Sequence, residues 1–82
     1  MTTAFVLLNM DLGYNKSMIE TLKSLPEVHY VYPLYGVYDV IVKVECDSIE
    51  AMKDFIANKI RINPEIKTVL TNLVVDDFTD AR

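Results

Sequence analysis

Two segments, "LPEVHYVYPL" from Leu25 and "NPEIKTVLTNL" from Asn63, each run Pro-Glu-apolar directly after a helical stripe. Proline lacks the N–H that a helix interior needs, so each stripe must stop there and the chain must re-enter an extended run. Before the first proline, Lys16 to Leu25 places Met18, Ile19, Leu22 and Leu25 on one side of a helix. Lys16 and Glu20 stand four apart on the other, and Asn15 is in place to cap it. Before the second, "CDSIEAMKDFIANKI" repeats the pattern with a stripe of Ile49, Met52, Phe55, Ile56 and Ile60. Asp47 or Ser48 is its cap, and Glu50 stands where a capping box wants an acid. The chain is therefore strand, helix, strand, twice over.

The strands follow from the residue types between these stripes. "TAFVLLNM", Thr3 to Met10, is rich in β-favouring residues and runs into the turn residues of "DLGYN". Val28 to Leu34 reads as the second strand and Val37 to Glu45 as the third, leaving Tyr35-Gly36 as a tight hairpin connection. Pro33 cannot donate to a ladder, so the second strand belongs at a sheet edge and the third inside. The last strand runs from about Ile66 to Val75, and "DDFTDAR" remains as an acidic tail. This order predicts a ferredoxin-like α+β fold, βαββαβ, with a four-stranded antiparallel sheet and two helices on one face. Residues 1–82 form one domain, with its core at about 3–75 and its tail at 76–82.

Composition narrows the function. Twelve acids against eight scattered bases give a net charge of −4, with no basic cluster to follow a phosphate backbone, so direct nucleic-acid binding is disfavoured. The start, Met1-Thr2-Thr3-Ala4, has neither the basic region nor the apolar run of a signal peptide. No stretch approaches the roughly 18 residues of a membrane span, so a soluble, cytoplasmic protein is expected. The lone Cys46 excludes an internal disulfide and a multi-cysteine metal site and is expected as a buried or half-buried small hydrophobe. Neither a cofactor nor a metal is called for.

If both helices cover one face of the sheet, the other face should turn polar. In the first strand Ala4, Val6, Leu8 and Met10 point one way, but Phe5 and Leu7 point the other; in the last, Leu70 and Val74 oppose Val69, Leu73 and Val75. Both faces carry apolar side chains. A domain of this size is marginal alone, and an identical chain applied face to face covers the patch economically. A homodimer is the expected minimum.

The order of elements, the "LPEV" after the first helix, the hairpin "YGVYDVIVKV" with its Gly-x-Tyr-Asp, and the ending "NPEIKTVLTNLVV" together resemble the effector-binding, or RAM, domain of the Lrp/AsnC transcription regulators. The resemblance covers Thr3 to about Val75. It implies dimers paired through their sheets, further assembly into rings such as octamers, and small effectors, usually amino acids, bound where dimers meet. Carried onto matching positions, Gly36, Tyr38 and Asp39 form the turn that holds the effector's amino and carboxylate groups. Thr71 matches the second of two threonines on the last strand, while the first aligns with Val69, with Thr68 one place away on the opposite face. Full-length members carry a helix-turn-helix DNA-binding domain ahead of this module. Here the chain begins at the first strand, so a stand-alone domain is expected, with full-length Lrp/AsnC-type regulators as further partners.

Two accounts of Asp39 stand side by side: its carboxylate receives a ligand's ammonium group, or it only accepts backbone N–H groups at the end of the hairpin. Tyr14, Tyr30, Tyr32, Tyr35 and Tyr38 line a pocket or, by preference, pack a subunit interface. His29, the only histidine, is read as a solvated strand residue, because a metal site there would need carboxylates to complete it. Met10, Met18 and Met52 are core filler. Two other classes share this order of elements. One is a dimeric ferredoxin-like barrel enzyme, an oxygenase or isomerase, which would want ionisable groups on the helix-facing side where Tyr38, Val40, Val42 and Val44 are expected. The other is the ACT-type amino-acid-binding module, whose ligand loop follows the first strand, near Gly13.

Overall fold

Burial alternates along the whole first strand, β1 (Thr2–Met10): Ala4, Val6, Leu8 and Met10 are buried while the residues between them keep part of their surface exposed. The computed structural model describes residues 1–13 and 15–74. Tyr14, Val75 and the expected acidic tail, 76–82, lie outside the described residues. After β1 come α1 (Lys16–Lys23), β2 (Val28–Pro33), β3 (Val40–Cys46), α2 (Ile49–Phe55) with a π turn (Ile56–Ile60), and β4 (Ile66–Leu73). The strands form one antiparallel sheet in the order β2-β3-β1-β4, the ferredoxin-like α+β arrangement. Pro33 ends β2, an edge strand.

The helices start where the sequence caps them. The Asn15 side chain accepts the Met18 N–H at 2.8 Å, and Ser48 Oγ accepts the Ala51 N–H at 3.0 Å. With Ser48 as the cap, Ala51 holds the third helical position, so Glu50 does not complete the expected capping box. Met18 and Leu22 of α1, with Met52, Phe55, Ile56 and Ile60, pack on Ala4, Val6, Leu8, Val40, Val42 and Val44 of the sheet. Ile49, expected in that stripe, is half exposed because it lies at the outer edge of the contact. The last turn widens, with the Arg61 N–H donating to the Ile56 carbonyl five residues back at 2.8 Å.

Several boundaries differ from the sequence-based expectation. β3 begins at Val40, not Val37, and Pro33 pairs with Val40, so a six-residue loop, 34–39, replaces the two-residue hairpin turn. Register is set by pairing of β3 with β1, whose last partners are Leu8 and Val40, and the loop takes up the remainder. β4 ends at Leu73, although the Val74 N–H still donates to the Thr3 carbonyl at 2.9 Å.

On the outer face the register aligns Tyr32, Ile41, Leu7 and Leu70 in one row across all four strands. The next row, Tyr30, Lys43, Phe5 and Asn72, is mixed. Lys43 Nζ sits 5.9 Å from the Tyr30 ring centroid, and the Tyr30 and Tyr32 rings stack at 4.8 Å. One end of the face is polar: Glu45 accepts from Thr3 Oγ1 at 3.3 Å and pairs with His29 Nε2 at 3.0 Å. His29, read from the sequence as simply solvated, thus has a carboxylate partner on the neighbouring strand.

Candidate functional site

The loop between β2 and β3 is tied down at its base and open at its tip. The Leu34 N–H donates to the Asp39 carbonyl at 2.8 Å, closing the base. The Asp39 N–H donates to the Leu8 carbonyl at 2.9 Å, and Asp39 Oδ2 accepts the Met10 N–H at 2.9 Å. The Asp39 carboxylate thus satisfies a backbone donor, across the sheet on β1 and not within its own hairpin. Gly36 at the tip has φ +149°, a conformation costly for other residues, and open space where a Cβ would stand. Tyr35 is fully exposed, Val37 largely so, and Tyr38 is half buried.

Thr71 lies elsewhere. It pairs with Val6 on the edge strand β4 and points to the helix side, half buried. Because α2 covers β4 only partly, a groove of about 230 Å³ remains between them, lined by Thr71 and Leu73 from the strand and by Ile49, Met52, Ile56 and Arg61 from the helix and its π turn. Lys53 and Ala57 complete the wall. Gly36, Tyr38 and Asp39 thus stand together at the β3 side of β1, and Thr71 stands on its β4 side, so one protomer does not unite all four. Val69 shares Thr71's side of β4, opposite Leu8, and Thr68 takes the outer side, opposite Asn9.

The sequence reading passed over Lys53 and Arg61. Lys53, Ala57 and Arg61 recur every four residues, the spacing that brings side chains onto one helical face, and that was the available signal. Chemically reactive groups are sparse. Cys46 is buried against Met52 with sulfur atoms 3.9 Å apart, and burial pushes its thiol pKa up, helped by the charges of Glu27 and Asp47. Every buried side chain among the described residues is apolar. No helix among them is long and apolar enough to cross a membrane, and no cluster of three or more metal-ligating side chains occurs among them.

A two-layer βαββαβ domain with an open sheet face, an anchored glycine loop and a half-covered groove belongs to the class of ferredoxin-like ligand-binding domains. Within that class the chain belongs to the Lrp/AsnC family: the family's ligand binding domain matches residues 3–82. The regulatory protein AsnC of Escherichia coli (strain K12) is 36% identical over 61 residues, which cover 74% of this chain and 40% of AsnC. The matched region thus spans less than half of that relative. The crystal structure of FFRP-DM1 superimposes with a TM-score of 0.87 at 41% identity, covering 92% of this chain and all of that one. A transcriptional regulator of Neisseria meningitidis, solved as a complex with L-Met, shares the fold with a TM-score of 0.84 at 14% identity over 96% of this chain and 53% of its own.

Proposed function

We propose that this domain binds a small-molecule effector, an amino acid, and couples that binding to its own assembly. Gly36, Tyr38 and Asp39 of one protomer and Thr71 of a neighbour form the site. The single observation that carries this reading is the separation of those groups within one chain: the anchored loop and Thr71 lie on opposite sides of β1, so the site closes only when a second copy brings them together. Homodimers form through the outer sheet face, with the row Tyr32, Ile41, Leu7 and Leu70 at its centre. They assemble further into a ring such as an octamer.

Family membership supports effector binding, as does the L-Met bound to the Neisseria relative. The role is regulatory: in the cytoplasm the domain pairs with full-length Lrp/AsnC-type regulators and alters their DNA occupancy without contacting DNA itself, consistent with its acidic charge. An effector that prefers one assembly state shifts the population by its differential affinity. Apart from the Cys46 thiol, whose pKa burial raises, the buried interior holds no ionisable side chain among the described residues, which favours binding over the barrel-enzyme alternative.

Native mass spectrometry of the protein, alone and with each of the twenty amino acids, tests this. A ring that takes up one amino acid per subunit, or changes size with it, is the expected result. A ring indifferent to all twenty overturns amino-acid sensing, and a strict monomer overturns the assembly as well.

A further inference from the structure

The groove between α2 and β4 has a chemistry of its own. Its floor is hydrocarbon: Met52 and Ile56 are buried, while Ile49 and Leu73 keep nearly half of their surface exposed along the opening. Two cations, Lys53 and Arg61, line it, with no carboxylate among the described residues of its wall. Among the described residues neither cation lies within ion-pair distance of a carboxylate. The Thr71 hydroxyl is the one neutral polar side chain among the described lining residues. An apolar trough flanked by unpaired positive charge complements an amphipathic anion.

We propose that this groove binds a small monocarboxylate with an unbranched or lightly branched hydrocarbon chain. The chain lies on Ile49, Met52, Ile56 and Leu73, and the carboxylate is held by Arg61 and Lys53 with a hydrogen bond donated by Thr71. The groove's volume of about 230 Å³ leaves room for a small ligand of this kind. This rests on the preceding reading of Thr71 as an effector contact and adds the class of molecule read there. Since the described residues of the groove wall include no acid, they give no preference to a ligand with an amino group; that group is left to the loop around Asp39. The carboxylate, not the ammonium, is the part recognised within a single protomer.

The test is a titration of the intact, isotopically methyl-labelled protein with hexanoate, L-norleucine and pentylamine, read by NMR at Ile49, Met52, Ile56 and Leu73 and by calorimetry. Hexanoate and norleucine are expected to move these resonances, and pentylamine is not. The double variant Lys53→Gln/Arg61→Gln is expected to weaken hexanoate at least tenfold, while Asp39→Asn is expected to weaken norleucine. Pentylamine binding as well as hexanoate, or an unchanged affinity in the double variant, overturns the proposal. Resonances that move on dilution alone place a second copy in the groove. Resonances that move without ligand when Asp76, Asp77 and Asp80 are changed to Asn place the chain's own acidic end there; either result also overturns it. Hexanoate binding with norleucine insensitive to Asp39→Asn leaves the groove standing and removes the loop from the effector site. Norleucine that responds to Asp39→Asn but not to the double variant does the reverse.

Discussion

Asp39 Oδ2 stands 2.9 Å from the Met10 nitrogen, at the point where the β1–β3 ladder has already ended. The last paired residues are Leu8 and Val40, so the Met10 N–H has no strand partner on that side, and the carboxylate supplies one. One side chain thus extends the sheet by a hydrogen bond and fixes the loop that carries Gly36.

This makes Asp39→Ala a poor test of ligand binding, because it strands the Met10 N–H. It is expected to cost about 1–3 kcal/mol in urea denaturation. Asp39→Asn keeps an acceptor oxygen and is expected to retain most of that stability while losing the negative charge. An equal loss in both variants would show that the charge, not the acceptor, holds the loop.

Gly36→Ala meets no steric obstacle, since nothing lies within 4 Å of the added Cβ. Its expected cost is purely conformational, about 1–3 kcal/mol if the loop keeps φ +149°. Denaturation midpoints of the wild type and this variant would measure it; no change would mean that the exposed tip rearranges freely.

Capping gives a local check on α2. Ser48→Ala removes the acceptor for the Ala51 N–H and is expected to cost about 0.5–2 kcal/mol by thermal or chemical unfolding. Glu50→Gln should fall within about 0.5 kcal/mol of wild type, since Glu50 does not sit at the capping-box position.

Cys46 carries a pH prediction. Its thiol pKa is raised in the folded state, so the stability linked to the neutral thiol is fully present below the ordinary value of about 8.5 and is lost as pH rises through the folded value. At pH 8 iodoacetamide should alkylate the native protein far more slowly than the urea-unfolded chain. Similar rates would show that burial against Met52 does not protect the sulfur.

The outer face gives the assembly prediction. Leu7 lies between Ile41 and Leu70 in the apolar row, so Leu7→Asp would place a carboxylate at the centre of a dimer contact. The expected outcome is a monomer by native mass spectrometry with an unchanged far-ultraviolet spectrum. A dimer that persists would move the interface off this face.

Much of the architecture was written locally. Pro26 and Pro64 stop two helices, Asn15 and Ser48 start them, and Pro33 marks an edge strand, because each acts through its own backbone or the next few N–H groups. The period-2 alternation grouped Ala4, Val6 and Leu8 on one face of β1 and put Val40, Val42 and Val44 on the helix-facing side of β3, and all six are buried. What needed the tertiary structure was everything set by pairing between distant strands. The length of the 34–39 loop follows from where β3 meets β1, and the role of Asp39 from the donor that β1 leaves open. The pairing of His29 with Glu45 depends on which strands are neighbours. Thr71 lines the same groove as Lys53 and Arg61 because β4 is an edge strand that α2 covers in part. Hydrogen-bond propensity and apolar period are properties of a few consecutive residues; register and the gaps between layers are properties of the whole chain, fixed only when all four strands are in place.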